Sequence, residues 1–144
     1  LNQLIASCRN AMYAAKSIKD AIPDIEQLKK SSKDEKYNFY LQARERIAGF
    51  YDQVIQLVKM EKPGQYFNKV TSLYKIVHEG YTHTLKELYK EGFTQKLNET
   101  ELSTLLNFNR TLYTSQKSIV FALKDFLLHE KESAYFDELP GFIR

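Results

Sequence analysis

Apolar residues recur along this chain at alternating intervals of three and four, the period of a helix that buries one face. Over residues 1–30 the series is Leu1, Leu4, Cys8, Ala11, Ala15, Ile18, Ile22 and Ile25, with no break in the alternation. It predicts a first helix whose seam faces a bundle, with Cys8 as a small core residue. Pro23 lies inside this run, where its missing backbone donor is expected to kink the helix. A second helix is predicted from Ser32, which precedes Glu35 at capping-box spacing. Its face is Tyr40, Ala43, Ile47, Phe50, Val54 and Leu57, widened by Tyr51, Ile55 and Val58, as expected of a helix with two neighbours. Lys62-Pro63-Gly64 ends it. A third helix is predicted over 65–91, with Phe67, Val70, Tyr74, Val77, Tyr81, Thr84 and Leu88 on its seam and Gly92 at C′. Residues 93–97 read as a linker. The fourth helix starts near Asn98 or Thr100, with Asn98 and Glu101 again at capping-box spacing. Its seam is Leu102, Leu105, Leu112, Ile119, Leu123 and Phe126. The tail 133–144 carries Phe136, Leu139, Pro140, Phe142 and Ile143 and is expected to dock back on the bundle.

These segments define an all-α fold: one domain over 1–144, an up-down bundle of four long helices. Asn109 and Gln116 interrupt the fourth seam. A polar residue in a seam commonly fixes register at a cost in stability. Together with the neighbouring Arg110, these two are the candidates for a polar core layer that could line a ligand pocket. The first and fourth helices also resemble each other at a gap-free offset: Arg9 matches Arg110, Lys16-Ser17-Ile18 matches Lys117-Ser118-Ile119, Ala21 matches Ala122, and Asp24 matches Asp125. A heptad seam does not demand the charged matches, so the pattern reads as a duplication with a three-helix unit. The chain would then hold the last helix of one unit and all three of the next.

Composition narrows the function. At 144 residues, a domain buries roughly 70% of the surface its unfolded chain exposes, enough to be stable without disulfides or a metal. A single cysteine excludes an intramolecular disulfide and fits a reducing compartment. The net charge of +3 is far from the concentrated basic stripe that nucleic acid requires. No apolar run reaches the ~20 residues of a membrane span. The chain begins at Leu1 rather than at an initiator Met, so it is expected to be a piece of a longer polypeptide.

Catalytic motifs are missing. His78-Glu79 and His83 resemble a zinc-protease motif, but that motif needs its histidines four apart. Here the two rings, five residues apart, diverge by roughly 140°. The chain has no Glu-x-x-His pair of the di-iron bundles, no glycine-rich phosphate loop and no nucleophile elbow. The aromatics fall on helical stripes and read as core. Lys29, Lys30 and Lys33 cluster at a helix junction, where basic residues suit a helix C-terminus. No enzymatic activity and no cofactor are expected.

The segment Arg9-Asn10-Ala11-Met12-Tyr13-Ala14-Ala15-Lys16-Ser17-Ile18-Lys19-Asp20 resembles a helix of the PhoU-like domains. So does Asn109-Arg110-Thr111-Leu112-Tyr113-Thr114-Ser115-Gln116-Lys117-Ser118-Ile119. More narrowly, both are similar to the PhoU-like domain at the C-terminus of bacterial sodium/phosphate cotransporters, over nearly the whole chain. The resemblance implies a fold of two three-helix units. It also implies a regulatory role in phosphate uptake, on the cytoplasmic side of the inner membrane. The partner would be the membrane transporter domain of the same polypeptide, with self-association of the module left open. A stand-alone PhoU-like regulator and a small-molecule sensor bundle are the alternatives. The family's metal clusters use a Glu-x-x-x-Asp pair in the repeated helix. The matching positions here are Lys16 with Asp20, and Lys117 with Phe121, so both pairs are broken. Asp20 and Asp24 are four apart but lie off the seam, and no metal site is expected.

Overall fold

The computed structural model describes residues 1–139, so Pro140, Phe142 and Ile143 of the tail lie outside the described residues. Its four long helices are α1 (Asn2–Lys29), α2 (Asp34–Val58), α3 (Tyr66–Leu88) and α5 (Glu99–Leu127). A 3₁₀ turn (Pro63–Gln65) leads into α3, and the short helices α4 (Glu91–Thr94) and α6 (Glu130–Asp137) flank α5. No strand occurs among the described residues. The long helices form an antiparallel ring in which α1 packs on α5 and α2, and α3 packs on α2 and α5.

The α1–α5 pair is the most intimate contact. The buried residues of α1 are Ser7, Ala14, Ala21 and Leu28, one every seventh position. The Ser7 hydroxyl donates to the Ala122 carbonyl at 2.7 Å, and the Ser115 hydroxyl donates to the Ala14 carbonyl at 2.9 Å. A serine reaches the backbone of a neighbouring helix only where both helices present small side chains and their axes approach closely. Gln3 Nε2 donates to the Leu128 carbonyl and Asn10 Nδ2 to Asp125 Oδ2, both at 3.1 Å, which extends the same antiparallel register. That register sets Ala21 opposite Phe108, and both are buried in one cluster.

This corrects the expected seam of α1. Leu1, Leu4, Cys8, Ala11, Ala15 and Ile22 are exposed, Ile18 and Ile25 pack partly buried against the core as expected, and the buried Ser7, Ala14 and Ala21 each sit one residue before Cys8, Ala15 and Ile22. Leu1 is 92% and Met12 72% exposed. The seam was inferred from hydrophobicity, but the contact selects small residues, because only they admit a second backbone. Cys8 is therefore a surface thiol rather than a core residue. The helix runs unbroken through Pro23.

The other helices follow their patterns more closely. Val70, Tyr74, Val77 and Leu88 of α3 are buried, as are Ala43, Phe50 and Leu57 of α2, while Ile55 and Val58 are exposed. Helix α2 starts at Asp34 with an extended Lys33 as N-cap and no side-chain cap, so Ser32 does not close a capping box. From this exposed N-cap position, Lys33 Nζ donates to Glu101 Oε1 at 2.6 Å, an ion pair between the ends of α2 and α5. Asn98 and Glu101 complete the capping box of α5 in both directions. The Lys33 ammonium and the Asn98 N–H hold the Glu101 carboxyl below its ordinary value. Gly92 is not the C′ residue of α3, which closes at Tyr89. It lies inside α4, which brings Phe93 and the buried Leu97 against one end of the core.

The core is two apolar clusters along the bundle axis. One contains Ala21, Leu28, Phe39, Leu88, Leu105, Phe108 and Leu112. The other contains Phe50, Val70, Tyr74, Val77, Val120 and Phe136. Phe136 carries α6 into the second cluster and meets Tyr74 and Phe121 edge-on. Lys124, 1% exposed, clamps α6 through Asp137 at 2.7 Å and also pairs with Asp125 at 3.1 Å. The seam predicts a paired mutational result. Ala14→Leu overpacks it and lowers unfolding free energy by about 1–3 kcal/mol. Ala15→Leu, on the exposed side, changes it by less than about 0.5 kcal/mol. Urea denaturation of both variants checks this, and equal effects would contradict the register.

Candidate functional site

A polar layer separates the two apolar clusters. Its centre is Arg46 of α2, which reaches across to α3 and α5. Nη1 donates to the Gly80 carbonyl at 3.1 Å and to the Thr84 hydroxyl, and Nη2 donates to Asn109 Oδ1 at 3.1 Å. Asn109 is fully buried, and its Nδ2 donates onward to the Tyr81 carbonyl at 3.3 Å. One guanidinium thus ties three helices together, with Asn109 as the hinge between α5 and α3. Gly80 sits where a side chain would press on Arg46: a Cβ there would stand 3.3 Å from the arginine Cδ.

Aromatic hydroxyls border the layer. Tyr81 stacks on Tyr113 with ring centres 4.4 Å apart, and Lys117 Nζ lies 5.4 Å above the Tyr113 ring. The Tyr74 and Tyr113 hydroxyls meet at 3.5 Å. Burial, reinforced by the Tyr113 hydroxyl, pushes the Tyr74 hydroxyl well above the ordinary phenol range, so it stays protonated.

Two cavities open on opposite sides of Arg46. One, of about 150 Å³, is lined by Phe39, Gln42, Ala43, Arg46, Gly80, His83 and Thr84. The other, of about 210 Å³, includes Glu45, Arg46, Gln53 and Gln116. Of the three residues singled out from sequence, Asn109 and Gln116 are buried in or beside this layer, while Arg110 is exposed. One step along a helix turns a side chain by about 100°, which carries Arg110 away from the seam that holds Asn109. Sequence reasoning missed Arg46, although a signal was present. It lies three residues after Ala43 and four before Phe50, on the inward face of α2, where a charge needs a partner.

The layer offers hydrogen-bond donors and a fixed positive charge, with no nucleophile–base pair. His78 and His83 are both exposed, and His78 Nδ1 stands 3.4 Å from the Tyr113 hydroxyl. Among the described residues no three His, Cys, Asp or Glu side chains stand together as metal ligands. No helix among them is long and apolar enough to cross a membrane. Fold and site together define the class: an all-α helical bundle with a buried arginine–asparagine layer between two apolar clusters. No protein-family model, curated protein or solved structure matches the chain.

The layer predicts that Asn109→Leu lowers unfolding free energy by about 1–3 kcal/mol, because Arg46 Nη2 and the Tyr81 carbonyl both lose their partner. Chemical denaturation measures this. A variant as stable as the parent would show that the bonds across the three helices carry nothing.

Proposed function

We propose that this chain is a PhoU-like, non-catalytic regulatory domain of a sodium-dependent phosphate transporter. In this reading it lies on the cytoplasmic side of the inner membrane and modulates phosphate uptake through contacts of its helices. The observation that carries the reading is the relation between α1 and α5. The two segments that resemble each other, and that resemble the PhoU-like helix, pack against one another. Ala14 meets Ser115, which are also the matched positions of the two segments. Ser7 bonds to Ala122, and their matched positions, Phe108 and Ala21, are both buried in one cluster.

The matched faces differ in one respect. Leu105, Asn109, Leu112 and Gln116 of α5 are buried, whereas their counterparts Leu4, Cys8, Ala11 and Ala15 of α1 are exposed. In a duplicated fold, α2, α3 and α5 form one three-helix unit, and α1 closes another. The uncovered face of α1 is then the surface through which the module joins the rest of the polypeptide. A binding role also fits a site that offers donors and charge without a catalytic pair.

Deleting these 144 residues from the gene, and following phosphate uptake in phosphate-rich and phosphate-poor medium, tests the reading. The expected result is uptake that no longer adjusts between the two media. Unchanged uptake and unchanged adjustment would reject it.

A further inference from the structure

We propose that the cavity of about 150 Å³ beside Arg46 binds a small oxyanion of the size of inorganic phosphate. This goes beyond the transporter reading and does not depend on it. The argument begins with charge. Arg46 donates only to neutral acceptors: the Gly80 carbonyl, the Thr84 hydroxyl and the Asn109 amide oxygen. None of the ion pairs among the described residues includes it. Glu45 borders the neighbouring cavity but makes no ion pair with it. A guanidinium withdrawn from water without a counter-charge is costly, and proteins ordinarily place a carboxylate against it. Burial alone pushes the Arg46 group below its ordinary value, with no anion nearby to offset the effect.

The setting of the guanidinium makes the second argument. A guanidinium carries five N–H groups. Three of those on Arg46 have acceptors, and Nε is buried with no partner. Nε is closed off from solvent and Nη2 is turned to Asn109, so the cavity meets the guanidinium through its uncompensated charge rather than through the Nε–Nη2 edge. The cavity beside the guanidinium adds the Thr84 hydroxyl, the Gln42 amide and the His83 ring, and no acidic residue lines it. Its volume equals that of about five waters in the liquid, enough for an ion with one central atom and its oxygens. Because Arg46 ties α2 to α3 and α5, an anion that engages it acts on the layer that joins the two apolar clusters.

The test is a titration of the purified protein with inorganic phosphate, sulfate or acetate, followed by amide chemical shifts and the thermal midpoint. The expected result is a saturable response within on the order of 20 mM, centred on Arg46, Gly80 and Thr84. Response to phosphate and sulfate alone assigns a tetrahedral ion. Response to acetate as well assigns oxyanions generally. Gln42→Glu puts a negative charge on an exposed rim residue. It should weaken phosphate binding by about tenfold or more and raise the anion-free midpoint, because the new carboxylate gives Arg46 the counter-charge it lacks. Arg46→Gln should abolish the response, and if that variant does not fold, Gln42→Glu decides alone. No saturable response to any of the three ions, or full phosphate affinity in Gln42→Glu, would overturn the proposal.

Discussion

The close approach of α1 and α5 is the constraint on which the rest of the bundle depends. Small residues at every seventh position let the two backbones come within reach of a serine hydroxyl, and reciprocal bonds at Ser7–Ala122 and Ser115–Ala14 lock the register. Once α5 lies against α1 on one side, its opposite side must carry α2 and α3. The second half of α5 is accordingly buried almost all round, from Val120 to Asp125. A helix so enclosed can hold polar side chains only where partners are supplied. Lys124 and Asp125 answer each other, with Asp137 of α6 beside them, and Asn109 answers Arg46. Such interactions stabilise little when complete but cost a great deal when one partner is lost.

The division of the core into two clusters gives the polar layer its importance. A continuous apolar core would tolerate small shifts of one helix along another. A guanidinium bonded to three helices at one level does not, because sliding any of them breaks its bonds. The layer therefore sets the relative height of α2, α3 and α5. The same geometry leaves Arg46 charged, half-buried and without a carboxylate, next to a small cavity. Structural bolt and candidate anion receptor are thus the same side chain. A small ion bound there would act directly on the layer that sets the helix heights.

Much of the fold was legible from the sequence. Four long helices, their order, the capping box at Asn98 and the return of Phe136 to the core follow from period, turn residues and a run of apolar positions. The face of α1 was not legible, for a physical reason. A hydrophobicity pattern selects Leu4, Cys8 and Ile22, whereas close packing selects Ser7, Ala14 and Ala21, which score as weakly apolar or polar. The start of α2 was misplaced because capping-box spacing at Ser32 and Glu35 suggests a cap that the backbone does not form, the N-cap being Lys33 with no side-chain bond. At the candidate site, Asn109 and Gln116 stood out because they broke a seam. Arg46 did not, because its neighbours Ala43, Ile47 and Phe50 formed an acceptable apolar face without it. Arg110 was included through adjacency in sequence, which on a helix is a poor guide to adjacency in space.

The central claim is the register of α1 on α5, and disulfide trapping tests it most directly. In a Cys8→Ser background, Ala14→Cys with Ser115→Cys should cross-link rapidly within one chain under mild oxidation. The control pair Ala15→Cys with Ser115→Cys should not. A cross-link at Ala14 that forms at least about tenfold faster than the control agrees with a seam of small residues at that height, since disulfides require Cα atoms within roughly 7 Å. Equal rates, or a preference for Ala15, would contradict it.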